Sequence, residues 1–435
     1  MPGNLSTLST LFQDKIEPGI KNQLNSSAPW LQMYKAMGTK DWTGTKKVIK
    51  VRVNRNRGSY FAPEGGAIPD AGQQRLEDLN VEMKYHYGNV SLTEQVIKFS
   101  RGQGAAAASA LEFELEGLVD DMRIQRSFAM NTGFGLGIRC LLNGEPGTDT
   151  RAEVDAPGGV AGANNGVRYL NEGDFIVAVE PASGTLRAGG TREILAIDPE
   201  GSFFDVDTAI DASWADNDQI VKASGSNASI AIENTDLNHA PLGNLGLFDD
   251  GTFVNNYFAI NRTSFPIMRS FVLADVGALS ADAIMRSIHA VMQVGRGRVK
   301  YHWMHPDTLR SYIAMTKDDR RYTAGELMTP DAGTSAADQS DESNSGLKFG
   351  NVPIHIDLDI PYGMWFGIDN RACKRYVGDS GSWVNRDGAV FTRSTTALDT
   401  YTAQYRLWEQ NVNFQPNQSF RMDGIASNVV VVHRV

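Results

Sequence analysis

The side chains best suited to chemistry in this 435-residue sequence are scattered, and none has partners at a useful spacing. His302 and His305 form an H-x-x-H pair at the end of a predicted strand. No third ligand lies at matching spacing, whereas a zinc site needs three or four ligands on a rigid frame. Gly133, Gly135 and Gly137 follow a predicted helix. A dinucleotide fingerprint must follow a strand and open a helix, so these glycines read as a helix stop. The acidic pairs Asp120/Asp121 and Asp357/Asp359 fit a helix surface facing its dipole and a strand-end turn better than a catalytic dyad. Cys140 and Cys373 are the only cysteines, far apart, and cannot hold a metal cluster alone. The sequence has no G-x-x-x-x-G-K-[ST] phosphate loop and no G-x-S-x-G elbow. A hydrolase in the β-rich middle of the chain would need residues such as His239 and Asp236 to gather at a pocket. No catalytic, cofactor-binding or metal-ligating residue is assigned, and the chain reads as architecture, not as an enzyme.

The elements that position these residues are organised around one helix, predicted over residues 105–131. Leu111, Leu115, Leu118, Met122 and Ala129 recur at spacings of three, four and seven, so one stripe faces a core. Acidic Glu112, Glu114, Glu116, Asp120 and Asp121 crowd its first half, and Arg123 and Arg126 sit in its second, which complements the helix dipole. At 1.5 Å per residue it is about 40 Å long, a spine by the standard of ordinary domains.

Before the spine comes an amphipathic arm at residues 4–24, then a two-stranded pattern. Ile49, Val51 and Val53 alternate with polar residues, as do Leu79, Val81, Met83, Tyr85 and Tyr87. Between them, residues 58–75 hold four glycines and two prolines, the composition of a broad irregular loop. The reading is a ribbon with arms of about ten to twelve residues and a loose tip, each arm spanning about 35 Å. Such a ribbon is marginal alone in water. Its apolar face is expected to lie on an adjacent copy of the chain, with a hairpin folded back on its own domain as the other possibility.

After the spine, short β-prone runs separated by turn signals predict a small antiparallel barrel or sandwich over residues 141–255, followed by a linker at 246–270. From Leu279 the pattern becomes α/β. A helix capped by Ser280 carries Ile284, Ile288 and Val291/Met292 on one face, and a second opens with Pro306. Strands are predicted at 298–303, 352–357, 364–368, 389–391, 401–414 and 428–433, with a mobile polar loop at 331–346.

Composition places limits on function. With 41% hydrophobic and 21% charged residues the chain is a folded protein of two to four domains or subdomains. No run approaches the 18 or so apolar residues of a membrane span, and the N-terminus lacks the pattern of a signal peptide, so assembly in a cytoplasm without a membrane partner is expected. The net charge of −10 is uneven. Residues 145–218 hold fifteen acidic and four basic residues, while residues 45–57 hold Lys46, Lys47, Lys50, Arg52, Arg55 and Arg57 and no acid. Electrostatic docking between copies and two solvated faces are both compatible with that division.

The order of parts resembles the major capsid protein of tailed bacteriophages. EGGAIPDAGQQ at 64–74 and YGNVSLTEQVI at 87–97 look like that family's extended loop and return arm. LEGLVDDMRIQRSFAMNTG at 115–133 looks like its spine helix, and GRVKYHWMHPDTLRSYIAMTKD at 297–318 like its axial strand and helix. KFGNVPIHIDLDIPYGMWFGID at 348–369 and VNFQPNQSFRMDGIA at 412–426 are similar to its later strands. The ordered set carries the likeness, which covers most of the chain outside 141–255. It implies an α+β fold divided into an N-terminal arm (1–44), an extended loop (45–98), a peripheral domain with the spine helix (99–140), an inserted β module (141–255), an axial domain (256–398) and a closing peripheral β segment (399–435).

The function implied is a shell protein that tiles an icosahedral head as hexamers and pentamers around double-stranded DNA, without a cofactor. An encapsulin-like compartment shell enclosing cargo protein is the alternative. Expected partners are other copies of itself, a scaffolding protein, a portal protein at one vertex and a decoration or cement protein. DNA contact is expected to be weak and sequence-independent. Some relatives weld neighbours through a lysine in the extended loop; between Val51 and Met83 this chain has none. A non-covalent shell is therefore expected. Arg52, Arg55, Arg57, Glu64, Tyr85 and Tyr87 are the expected inter-subunit contacts.

Overall fold

The computed structural model describes residues 34–37, 46–95, 110–132, 135–160, 166–316, 344–385, 390–393 and 400–426. The amphipathic arm at 4–24, most of the polar stretch at 331–346 and the apolar run at 428–433 lie outside them; residues 344–346, expected in that loop, are in a strand. The chain divides into two compact units. The first comprises Met1–Ser27, Tyr87–Ile124 and Gly381–Arg406, the second Ala28–His86, Gln125–Ser380 and Leu407–Val435.

In the second unit β1 (Lys35–Met37) precedes the ribbon, whose strands β2 (Lys46–Arg52) and β3 (Leu76–Glu82) pair antiparallel from Lys46↔Glu82 to Arg52↔Leu76. The arms are therefore seven residues each, about 23 Å long, shorter than the alternation suggested. The reason lies at Met83. There the chain leaves the pairing with β2, and the next strand, β4 (Lys84–Thr93), pairs elsewhere, with β20 (Thr400–Asn413). The handover shifts the pleat by one residue: Leu79, Val81 and Met83 are buried before it, Gly88 and Val90 after it. Tyr85 and Tyr87 consequently point outward and are half exposed.

The ribbon body also differs from the expectation of a face awaiting another copy. Leu79 and Val81, with Ile49 and Val51 beside them, belong to the main core together with Tyr257, Ile260 and Met268. The Asn80 N–H donates to the Phe258 carbonyl at 2.8 Å. The alternating apolar face is thus covered by its own unit, while Val48 and Leu76 on the opposite face and the side chains of the tip are exposed.

The spine is α1 (Ala110–Thr132). Its last turns are the most deeply set, with Ser127, Phe128, Met130, Asn131 and Thr132 all buried. In the first unit Gly88 lies so close to it that a Cβ there would stand 2.5 Å from Met122 Sδ, so no larger residue fits without movement. The same unit holds the antiparallel pair of β19 (Thr392–Arg393) with β20.

Beyond the spine, β5 (Ile138–Leu142), β6 (Arg151–Asp155), β7 (Phe175–Val179), β8 (Arg192–Asp198), β9 (Phe203–Val206) and β10 (Gln219–Lys222) close into a barrel in the order β10-β5-β6-β9-β8-β7. Its interior is filled by Leu142, Val154, Ile176, Phe204, Trp214 and Ile220, each almost fully buried. Closure removes the edges that an open sheet exposes.

Residues 246–270, expected as a linker, are instead part of the main core. Short α2 (Asn244–Leu247) and the paired β11 (Asn256–Tyr257) and β12 (Ile260–Asn261) surround Arg262, which is fully buried. Its guanidinium donates to the carbonyls of Met268, Gly246 and Val254 and lies 3.5 Å from Asp249. A buried cation with this many acceptors fixes the path of a segment whose polar composition reads as loop.

The remaining sheet has the order β13 (Phe271–Leu273), β21 (Phe420–Met422), β17 (Trp365–Ile368), β14 (Tyr301–Met304), β16 (Val352–Ile356), β15 (Asn344–Phe349). Helix α3 (Ala281–Gly295) and α4 (Pro306–Thr316) contribute Ile284, Val291 and Tyr312 to the core beside it. The Ser280 hydroxyl caps α3 by accepting from the Ala283 N–H at 3.2 Å. The long β18 (Cys373–Trp383) pairs with β1 in parallel and neighbours β20.

Candidate assembly surface

Of the six residues singled out for contacts, four share the ribbon. Arg52 ends β2, Arg55 and Arg57 follow the bend at Asn54 on the way into the tip, and Glu64 sits in the turn at its far end; all four are exposed. Tyr85 and Tyr87 lie on β4 instead, and Tyr85 makes an edge contact with Trp408 at 5.3 Å.

Charge along the ribbon is not uniform. On its outward face Lys50 meets Asp78 at 2.8 Å, and Lys46 stands directly opposite Glu82. At the next outward position Arg52 stands opposite Leu76, and its Nε–H reaches only the Asn54 carbonyl at 3.4 Å. Among the described residues Arg52, Arg55 and Arg57 have no carboxylate partner. Lys50, nearer the body, is paired, whereas the arginines toward the tip are not.

The tip itself is held by few internal bonds. Asn56 donates through Nδ2 to the Gly72 carbonyl at 2.8 Å and accepts from the Gly58 N–H at 2.7 Å, which pinches its neck. Beyond that neck the Tyr60 hydroxyl donates to the Ala67 carbonyl, and Phe61 and Ile68 are almost wholly exposed.

A separate cavity of about 90 Å³ in the second unit is lined by His86, Arg126, Arg139, Asp236, His239 and Glu409 among others. Asp236 and His239 thus do meet at a pocket, the arrangement a hydrolase would require. Their atoms are committed elsewhere, however. Asp236 accepts from Arg139 at 2.9 Å, and His239 Nδ1 is 2.9 Å from the Thr235 carbonyl. No serine or cysteine lines the cavity, so no hydroxyl or thiol nucleophile of those types stands beside the histidines. His86 is held below the usual histidine range by burial, with Asp236 and Glu409 opposing the shift and Arg139 reinforcing it.

The H-x-x-H pair is likewise spoken for. Trp365 Nε1–H donates to His302 Nδ1 at 3.0 Å, and the Asp307 N–H donates to His305 Nδ1 at 3.1 Å. Burial lowers their pKa values to about 3 and about 2, with Arg168 and Arg310 adding to the effect at His305. Among the described residues no group of three or more histidine, cysteine or acidic side chains is arranged to hold a metal ion. Cys140 and Cys373 are both buried free thiols, pushed up in pKa chiefly by burial. Among the described residues no helix is long and apolar enough to cross a membrane.

This architecture is found in solved capsids. The chain is similar to the protein of the cyanophage A-1(L) capsid asymmetric unit, with a TM-score of 0.54 at 12% identity, over 96% of this chain and 98% of that one. It is also similar to the capsid protein of a native GTA particle, with a TM-score of 0.50 at 9% identity over 96% of each chain. For an empty GTA particle the TM-score is 0.50 at 10% identity, again over 96% of each. No family model matches the sequence, and no curated protein sequence matches it. The chain has the mixed α+β fold of phage capsid proteins, and that fold spans nearly its full length.

Proposed function

We propose that this chain is the major capsid protein of a tailed phage, assembling as hexamers and pentamers into an icosahedral head around double-stranded DNA. The observation that carries the reading is the capsid fold over 96% of the chain, and the uncovered ribbon tip agrees with it. A subunit that leaves Phe61 and Ile68 in water is completed by another subunit. In this reading a scaffolding protein guides assembly, a portal occupies one vertex and a decoration protein can bind outside. Assembly takes place in the host cytoplasm.

The net charge of −10 disfavours tight DNA binding, so the genome is touched weakly and without sequence preference. Arg52, Arg55, Arg57 and Glu64 make contacts between subunits from the ribbon, and Tyr85 and Tyr87 from β4. Between Val51 and Met83 there is no lysine to weld neighbours, so the shell is held without covalent bonds. Electron microscopy of the protein expressed alone and with its neighbouring open reading frames tests the proposal. Closed shells, capsomer rings or tubes are expected; a uniformly monomeric protein even with a scaffold present would overturn it. Denaturing electrophoresis of the particles is expected to give one band at the monomer mass, and a ladder of multimers would contradict the non-covalent account.

A further inference from the structure

We infer that the three unanswered arginines at the base of the ribbon tip bind the acidic outer face of the β-barrel of a second copy of the chain. This rests on the shell reading above and names the partner surface for it.

The barrel face is built by strand alternation. On β6 Ala152 and Val154 point inward, so Arg151, Glu153 and Asp155 point out. Across β9 and β8 the register Glu153↔Phe203↔Asp198 places two carboxylates on either side of one aromatic ring. Asp216 raises the pKa of Asp155 by like-charge repulsion, second to burial, so the patch extends past β6. The one cation on this face, Arg151, is already taken: it donates twice to Asp205, at 2.8 and 3.0 Å. Among the described residues Glu153, Asp155, Glu200 and Asp216 have no cationic partner. A bulge between Ile194 and Ala196 turns Leu195 outward, which gives the barrel its one exposed large apolar side chain among the described residues.

The two surfaces match in sign: Arg52, Arg55 and Arg57 lie within six residues of chain, and Glu153, Asp155, Glu200 and Asp216 are the carboxylates they would meet. Among the described residues no ion pair joins the ribbon to the barrel within one chain. The unpaired charges of both signs are therefore left for another copy. Such pairing fixes register and weakens with salt.

The test is charge exchange. Arg52→Glu/Arg55→Glu/Arg57→Glu reverses the ribbon, and Glu153→Lys/Asp155→Lys/Glu200→Lys reverses the barrel without touching Asp198, which caps the β8–β9 turn. Each set alone is expected to raise the concentration needed for assembly at least tenfold, and both sets in one chain to restore most of it. Independently, Arg55→Cys/Glu153→Cys is expected to give a ladder of disulfide-linked multimers on oxidation, and either single variant none; the native thiols are buried. A barrel-reversed chain that assembles like the unaltered one, or a double variant with no ladder, would overturn the inference while leaving the shell reading intact. Failure of the unaltered chain to assemble even with a scaffold present would remove both.

Discussion

The ribbon and the barrel are both small β structures, and they solve the edge problem in opposite ways. The barrel closes on itself, so its strands have neighbours on both sides and its interior is filled from within residues 138–222, while Val177, Val179 and Val221 on its outside cluster with Leu237. The ribbon has two strands and two edges, and it stands only because its inward face rests on Tyr257, Ile260 and Met268 of the same unit. Past Val53 that support ends, and the tip keeps both its large apolar side chains and its cations in water. A self-sufficient element tolerates isolation, whereas an element with unspent apolar surface and unanswered charge points to a partner.

The largest expected effect tests the self-sufficiency of the barrel. Phe204 is fully buried at its centre, so Phe204→Ala should cost about 3–5 kcal/mol in chemical denaturation. Loss of under about 1 kcal/mol would mean that the barrel interior is not the packed core described here.

Mild acid, between pH 7 and 5, should act mainly outside both regions, since neither residues 46–82 nor 138–222 contain a histidine. His302 and His305 have folded pKa values below the ordinary 6.5. The unfolded chain therefore binds more protons as pH falls, and stability that is full above about pH 6.5 declines through that value toward about pH 3. Between pH 7 and 5 each histidine should cost about 2 kcal/mol. A melting temperature that is flat over this range would contradict the buried, neutral state of the pair.

Smaller effects belong to the ribbon. Lys50 and Asp78 form an ion pair with side chains 66% and 48% exposed, so Lys50→Ala should change stability by less than about 1 kcal/mol. Smallest of all, Phe61→Ala should leave the stability of the unassembled chain within about 0.5 kcal/mol, yet lower its yield of assembled particles. Equal assembly by this variant would remove the tip's apolar contact from the account.

Much of the fold was legible because the physics is local. Alternation marks β2 and β3, Ser280 and Pro306 mark the starts of α3 and α4, and the glycines after Thr132 mark the end of the spine; Gly135 and Gly137 both have positive φ. The strand exchange at Met83 was hidden because the apolar alternation continues into Tyr85 and Tyr87 although the pairing partner changes. Strand β18 was missed since CKRYVGDSGSW is polar and carries glycines, and its neighbours β1 and β20 are distant in sequence. The buried Arg262 makes a core of residues that look like a linker, a tertiary fact with no local signature. At the candidate surface the cluster of cations was readable, but which cations are answered was not. That depends on Asp78 standing opposite Lys50 and Leu76 opposite Arg52.

The most direct measurement is analytical ultracentrifugation of the full chain beside a version in which residues 58–72 are replaced by a short glycine turn. With the neighbouring open reading frames co-expressed so that a scaffold is present, the account predicts fast-sedimenting capsomers or shells for the first and a folded monomer with an unchanged melting temperature for the second. Equal assembly by the two, or monomers in both, would contradict it.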